Sequence, residues 1–359
     1  MRAKALSLLQ ELTEAHSVSG HEDEVRAIFT DELSDVGPLA TDKSGSVICA
    51  HGNEGPRVMI AGHMDEVGFM VQNITIDGFI QFITIGGWWN QVMLGQRVEI
   101  LTRSGEKIHG LIGSKPVHYL PVAQRDNPVS VESMFIDVGA SSRREAIDDY
   151  KIALGDPIAP FSKFTEMRNP NYFMAKAFDN RVGMAGTIQA ALMLSNTEHP
   201  NELVFAGTVQ EEVGLRGAKT LASFVKPEIA IVLEGPPADD TPGFNALNSQ
   251  GKLGGGVQIR LYDPSAIANP RLVDFAIQTA KENQIPHQVT VRRSGGTDAG
   301  SFHLANQGIP SIVLGVPTRY IHSHNAIIDI EDYFAMVELT TTLAEKLDST
   351  TVESFTKYI

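Results

Sequence analysis

Seven side chains in this sequence have the types and placing to handle a cation and a proton. They are His63 and Asp65, Asp179, the adjacent pair Glu211 and Glu212, Glu234, and His322. Most stand at or just past a short apolar run of strand character, such as Val58-Met59-Ile60-Ala61, Leu203 to Val209, or Ile231-Val232-Leu233. In open α/β sheets ligands bind outside the carboxyl ends of the strands. Carboxylates and histidines at several strand ends can therefore converge on one cleft. Two imidazoles with three carboxylates suit borderline divalent metals, zinc above all, with cobalt or manganese as alternatives. Two such cations about 3.5–4 Å apart would clamp an attacking water and the carbonyl oxygen of a bond under hydrolysis.

Each residue also has a plainer reading. His63 and Asp65 are two apart, so in an extended segment they face one side. One imidazole nitrogen is then free for a metal while the other donates to Asp65, which fixes the tautomer. The plain alternative is a histidine hydrogen-bonded at a strand end. Adjacent glutamates point different ways, so Glu211 and Glu212 can divide the work of ligand and general base. Taken alone, Glu-Glu before Gly214 reads as a solvated acidic turn. Asp179 precedes a helix and reads either as its N-cap or as a carboxylate bridging two cations. Glu234 reads as a strand-end acid or as a ligand. His322 and His324 compete for one role. The remaining histidines read as ordinary surface or core residues.

These positions need a scaffold, and the pattern around them describes one. Leu6, Leu9 and Leu12 lie at helical spacing within residues 3–16. Ser19-Gly20-His21-Glu22 has the form of a capping box opening a second helix through about Leu33. From about Gly68 to Phe164 short β-rich runs are separated by glycine and polar turns, with one helical stretch, Ser142 to Lys151. Beyond Phe164 strands and helices alternate: helices at 181–195, 269–283 and 330–347, strands at 203–209, 229–233 and 309–314. The fold class is α/β. A discontinuous domain of residues 1–67 and 165–359 carries a mostly parallel central sheet, interrupted at 68–164 by a small β-rich, barrel-like domain.

Bulk composition narrows the function classes. The chain has 359 residues, of which 42 % are hydrophobic, and its formal net charge is −14. That balance argues against nucleic acid and anionic membrane as partners. Cys49 is the only cysteine, so no intrachain disulfide and no cysteine-rich zinc site can form. The reducing cytoplasm is the expected compartment. The charged N-terminal stretch does not read as a signal peptide, and no apolar stretch is long enough to span a membrane.

Taken together, four segments resemble the M42 family of metallo-aminopeptidases. They are Ala61-Gly62-His63-Met64-Asp65-Glu66-Val67-Gly68-Phe69, Ala177-Phe178-Asp179-Asn180-Arg181, Glu211-Glu212-Val213-Gly214-Leu215-Arg216-Gly217-Ala218 and Arg319-Tyr320-Ile321-His322-Ser323. Gly295-Gly296-Thr297-Asp298-Ala299 resembles a family segment near the substrate cleft. The resemblance implies a zinc-peptidase fold whose inserted β-rich domain serves oligomer assembly, from dimers up to dodecamers. It implies two divalent metal ions per subunit, one held by His63, Asp179 and Glu234, the other by Asp179, Glu212 and His322. Asp179 would bridge, Asp65 would orient His63, and Glu211 would be the general base. The implied activity is release of N-terminal residues from peptides with free N-termini. Many members carry aspartate where Glu234 stands.

Other functions fit less well. A related carboxypeptidase, dipeptidase or deacylase usually places an α/β lid later in the chain. A glycoside hydrolase needs two carboxylates about 5–9.5 Å apart across a sugar, which adjacent glutamates do not offer. A metal-storage protein has no use for a non-ligand Glu211 beside a ligand Glu212. Arg292, Arg293 and Lys252 read as surface cations that would select acidic N-termini only if they reached the cleft.

Overall fold

The structure is a computed structural model and describes residues 2–245 and 247–359. The chain opens with helices Arg2–Glu14 (α1) and Asp23–Glu32 (α2) and strands Leu39–Thr41 (β1), Val47–His51 (β2) and Arg57–His63 (β3). Six strands follow: Gly68–Ile74 (β4), Ile80–Ile85 (β5), Arg97–Leu101 (β6), Lys107–Gly113 (β7), Phe135–Asp137 (β8) and Pro157–Pro160 (β9). After Thr165–Glu166 (β10) and Tyr172–Ala175 (β11) come Phe178–Leu194 (α3), Glu202–Thr208 (β12), Arg216–Val225 (α4) and Ile229–Glu234 (β13). The rest comprises Val257–Asp263 (β14), Ala266–Ile267 (β15), Pro270–Glu282 (α5), His287–Val291 (β16), Ala299–Phe302 (α6), Ser311–Gly315 (β17), Ala326–Asp329 (β18), Ile330–Lys346 (α7) and Ser349–Thr356 (α8).

The main sheet runs β1-β2-β12-β3-β13-β17-β14-β15, with β16 paired to β14. Its centre, β12-β3-β13-β17, is parallel. The flanking pairs β1/β2, β2/β12, β14/β17 and β14/β15 are antiparallel. The uninterrupted apolar runs follow from this layering. β3 and β12 are buried at every position after the first, and β13 throughout, because helices cover both faces. One core packs the sheet against α1, α3, α5 and α7, and a second packs the opposite face against α4 and α6.

Strands β4 to β9 close into a barrel ordered β4-β5-β8-β7-β6-β9, with antiparallel pairings. It has its own core, including Phe69, Val71, Ile100, Ile112 and Ile158. A further three-stranded sheet, β10-β11-β18, lies outside both. Among the described residues no helix is long and apolar enough to cross a membrane.

Three local expectations change. The capping box before α2 does not form: the helix starts at Asp23 after an N-cap residue, Glu22, with no side-chain cap bond. The Ser19 hydroxyl donates to Asp65 instead, and Glu22 accepts from the Gly20 N–H and from the distant Gln210 N–H. The helix expected over Ser142 to Lys151 shrinks to one wide turn, Glu145–Asp149, since only Ala146 there is buried. Strand β14, unforeseen, hides polar Gln258 and Arg260 among its apolar residues, which masks its strand pattern.

Candidate active site

Parallel pairing puts three strand ends side by side. Thr208 stands opposite His63 in the β12/β3 register. Val232 stands opposite Ala61, so Glu234, two residues on, reaches the level of His63. Beyond β12 the chain turns through Gln210, whose φ is 55°, into Glu211 and Glu212. Asp179 arrives from the other side, at the non-helical start of α3 after Ala177, whose φ is 55°. His322 also lies at positive φ, in the loop between β17 and β18.

Close approach of α3 to the sheet requires glycine. A Cβ on Gly62 would lie 2.7 Å from the Gly183 carbonyl carbon, one on Gly183 would lie 2.3 Å from the Leu233 oxygen, and one on Gly235 would lie 2.7 Å from the Phe178 oxygen. These contacts are backbone and cannot yield. Asn180 completes the join, donating to the Leu233 carbonyl at 2.8 Å and accepting from the Gly183 N–H at 2.9 Å. Asp179 is thereby held over the ends of β3 and β13.

His63, Asp179, Glu211, Glu212, Glu234 and His322 line one cleft of about 430 Å³. Asp179 faces both histidines: its Oδ1 is 3.2 Å from His63 Nε2 and its Oδ2 is 3.3 Å from His322 Nε2. His322 Nε2 also lies 3.4 Å from Glu212 Oε2, and His63 Nε2 lies 3.7 Å from Glu234 Oε2. His63 Nδ1 donates to the Asp65 carbonyl oxygen at 3.0 Å, with the Asp65 carboxylate at 3.5 Å. Asp65 is fully buried beneath the cleft. Its Oδ1 accepts the Glu211 N–H at 2.9 Å, and its Oδ2 accepts the Glu212 N–H at 3.1 Å and the Ser19 hydroxyl at 2.6 Å. His324 takes no part: it is 2 % exposed, packs beside Trp88 and Phe69, and neither ring nitrogen has a partner.

The electrostatics are those of a site short of positive charge. Burial, reinforced by neighbouring carboxylates, pushes Glu211 and Glu234 well above the usual carboxylate range and raises Glu212 as well. Burial would lower the histidines, but the surrounding acids outweigh it: His63 rises well above its ordinary value and His322 rises to about 11. Asp179 goes the other way, because the two imidazoles overcome its burial. The acids are thus crowded enough to hold protons. Such crowding relaxes when a cation binds.

The donor chemistry fits divalent metals. His63, Asp179 and Glu212 offer atoms within 4.8 Å of one another, and so do His63, Glu211 and Glu234. Glu212 Oε1 and Glu234 Oε1 are buried with no hydrogen-bond partner among the described residues, which a cation would supply.

One contributor, Arg260, escaped the pattern, and two more, Asp298 and Glu66, stood inside the family-like segments without being given a role. Arg260, from the middle of β14, lines the cleft, whereas Arg292, which pairs with Asp239 at 2.9 Å, Arg293 and Lys252 do not. Asp298 bonds to Thr208, and burial pushes its carboxyl up to about 6. Glu66 sits buried between Lys176 and Arg181. The placing of Gly295 to Thr297 along the cleft wall was signalled in advance by the family-like segment at 295–299, which also contains Asp298.

Known proteins share this sequence and this fold. The sequence profile described as M42 glutamyl aminopeptidase matches residues 45–339. The glutamyl aminopeptidase of Lactococcus lactis subsp. cremoris is 35 % identical over 351 residues, covering 97 % of this chain and 98 % of the relative. A TET aminopeptidase from the marine sediment archaeon Thaumarchaeota archaeon SCGC AB-539-E09 superposes with a TM-score of 0.95 at 43 % identity, covering 98 % of this chain and 99 % of the other. The Pyrococcus horikoshii TET1 peptidase, described as assembling into a tetrahedron or a large octahedral shell, matches with a TM-score of 0.85 at 30 % identity, covering 96 % and 100 %. A shared profile over most of the length, together with near-complete superposition, makes the chain an aminopeptidase of the hydrolase class, and it belongs to the M42 glutamyl aminopeptidase family.

Proposed function

We propose that this aminopeptidase releases single residues from free N-termini of peptides with two divalent ions per subunit and Glu211 as general base. The observation that carries this reading is the convergence of His63, Asp179, Glu212, Glu234 and His322 around one cleft, with Glu211 beside them and itself close enough to His63 and Glu234 to share a cation. His63, Asp179 and Glu234 would hold one ion and Asp179, Glu212 and His322 the other, with one Asp179 oxygen turned to each histidine. Zinc is the first choice, with cobalt and manganese as alternatives. When bound, the ions supply a nucleophile at neutral pH and polarise the scissile carbonyl.

The protein's own residues do the rest. Glu211, almost fully buried and pushed above the usual carboxylate range, accepts the proton of the attacking water and passes it to the leaving amine. Asp65 holds the Glu211 and Glu212 backbone from below, and its carbonyl sets the His63 ring. The acidic wall suits a free ammonium group and disfavours a blocked N-terminus. Arg260 selects the first side chain. Its Nη1 pairs with Asp263 at 3.1 Å, but its buried Nε has no partner among the described residues, so an acidic side chain is favoured over a basic one.

The inserted barrel is assigned to assembly of a homo-oligomer, from dimer to dodecamer, which the likeness to TET peptidases supports. A buried, free Cys49 is compatible with the cytoplasm as the compartment. The reading is tested by stripping the protein with a chelator and reloading it with zinc, cobalt or manganese. Glutamyl, leucyl and lysyl chromogenic substrates are then compared with their N-acetylated forms. Loss of activity on stripping and inertness of the acetylated substrates are expected. Cleavage of the acetylated substrates, or full activity without metal, overturns it.

A further inference from the structure

The turn that carries Glu211 and Glu212 is held locally on its carbonyl side, where Glu211 accepts from the Gly214 and Leu215 N–H groups and Gln210 from the Arg216 N–H, but its own N–H groups have no local acceptor. Gln210 stands at φ 55°, and the N–H groups of Gln210, Glu211 and Glu212 all point to side-chain acceptors from elsewhere in the chain. Asp65 takes two of them. The third, Gln210 N–H, donates to Glu22 Oε1 at 3.2 Å. The same Glu22 oxygen accepts from Gly20 N–H at 2.6 Å, which folds the 19–22 segment back on itself. Ser19, in that segment, donates its hydroxyl to Asp65 at 2.6 Å. Glu22 is 3 % exposed and Ser19 is 7 % exposed. The segment is anchored to the end of β3 as well: Glu66 N–H donates to the Ser17 carbonyl at 2.9 Å, and the Ser17 hydroxyl donates to the Met64 carbonyl at 2.9 Å.

We infer that Ser19 and Glu22, the pair whose spacing reads as a helix cap, are positioning residues that lock the 210–212 turn and so aim Glu211 and Glu212 into the cleft. Three successive N–H groups with fixed acceptors leave the turn one conformation, and two of the three acceptors depend on this segment. A left-handed residue such as Gln210 costs free energy and persists only where its surroundings over-determine it, to which the Glu22 carboxylate contributes from a buried position. Any acceptor oxygen serves: burial raises the Glu22 carboxyl to about 7, and charged or neutral it still accepts. The role is geometric, so it survives replacement by an amide and fails with an apolar side chain.

The inference rests on Glu211 as base and Glu212 as ligand, and its test keeps the two apart. Glu22→Gln, Glu22→Leu, Ser19→Ala and Glu211→Gln are prepared as full-length protein. For each, kcat and KM are measured on a glutamyl chromogenic substrate with zinc loaded, zinc affinity of the stripped protein is measured by competition with a chromophoric chelator, and Tm is recorded. Glu22→Gln is expected to stay close to the parent. Glu22→Leu is expected to lose roughly 10–100-fold in kcat and in zinc affinity, as loss of an outer support typically does, with KM little changed. Ser19→Ala is expected to fall in the same direction by a smaller factor, and decides alone if Glu22→Leu does not fold. A change confined to Tm, with kcat and zinc affinity at parental values in the folded variants, overturns the inference. Equal losses in Glu22→Gln and Glu22→Leu overturn it too. A fully active Glu211→Gln instead overturns the underlying reading of the site, whatever the Glu22 variants do.

Discussion

The Asp65 carboxylate accepts the backbone N–H of Glu211 at 2.9 Å while the Asp65 carbonyl oxygen, not the carboxylate, is the nearer partner of His63. One residue thus ties the end of β3 to the turn beyond β12 with both its main chain and its side chain. Burial alone would raise the Asp65 carboxyl, but His63, the Ser19 hydroxyl and the Glu211 N–H hold it below its ordinary value. It therefore works as an ionised acceptor.

Asp65→Asn puts an amide N–H where one of two backbone donors now points. Turnover and metal retention are both expected to fall by roughly 10–100-fold. Steady-state kinetics and metal analysis of the purified variant check this. Parental values for both would remove Asp65 from the positioning network.

Glu211→Gln keeps the shape of the side chain and removes its basicity. Metal content should stay near that of the parent while kcat falls by roughly 10²–10⁴-fold, the usual worth of a positioned base. Elemental analysis beside single-substrate kinetics separates the two effects. Loss of metal in step with activity would make Glu211 a ligand rather than a base.

Arg260→Gln removes the positive charge on the cleft wall. The kcat/KM for a glutamyl substrate is expected to drop by roughly 10–100-fold, matching about 1.5–3 kcal/mol for a hydrogen bond to a charged group. The leucyl substrate should change far less. An unaltered preference for acid over leucine would exclude Arg260 as the selecting residue.

His16 is 1 % exposed, and neither of its ring nitrogens has a partner among the described residues. Burial, aided by Lys176, lowers its pKa to about 4 against the opposing pull of Glu66 and Glu24. The folded protein keeps this imidazole neutral while the unfolded chain protonates it below about 6.5. Its contribution is thus fully present above pH ~6.5 and is lost as pH falls towards ~4. His16→Leu should lose about 2 kcal/mol less stability than the parent between pH 7 and pH 4.5. Urea unfolding at the two pH values checks it, and parallel losses would refute the assignment.

Lys176 Nζ bonds both oxygens of Glu66, at 2.6 and 2.8 Å, and the Ala15 carbonyl at 2.8 Å, all out of solvent. Lys176→Met leaves Glu66 with Arg181 as its cationic partner. A loss of about 3 kcal/mol in unfolding free energy is expected, at the low end for breaking a buried pair. A Tm equal to that of the parent would show that the pair adds nothing to stability.

Much was legible without a structure, because local pattern reports local burial. Continuous apolar runs at 58–61, 203–209 and 229–233 announce strands buried on both faces, and the β-rich texture from Gly68 onward announces a separate closed sheet. Polar residues placed where such runs end identify the cleft before any distance is known. The sequence by itself therefore determined the α/β class, the interruption by a barrel, and which residue types gather at the strand ends.

The tertiary structure decided the choices that depend on register and on long-range pairing. The residues alone left His322 and His324 competing, and only the family resemblance favoured His322; in the fold His322 reaches Asp179, while His324 packs beside Trp88. Ser19 and Glu22 have capping-box spacing, but the Ser19 hydroxyl donates to Asp65 and the Glu22 carboxylate accepts from Gly20 and Gln210. Arg260 is hidden among apolar neighbours in β14, and only the antiparallel pairing with β17 brings that strand beside the cleft. A hydrogen bond between residues tens to hundreds of positions apart leaves no periodicity to read. It exists because the sheet order places two strand ends within reach of one another.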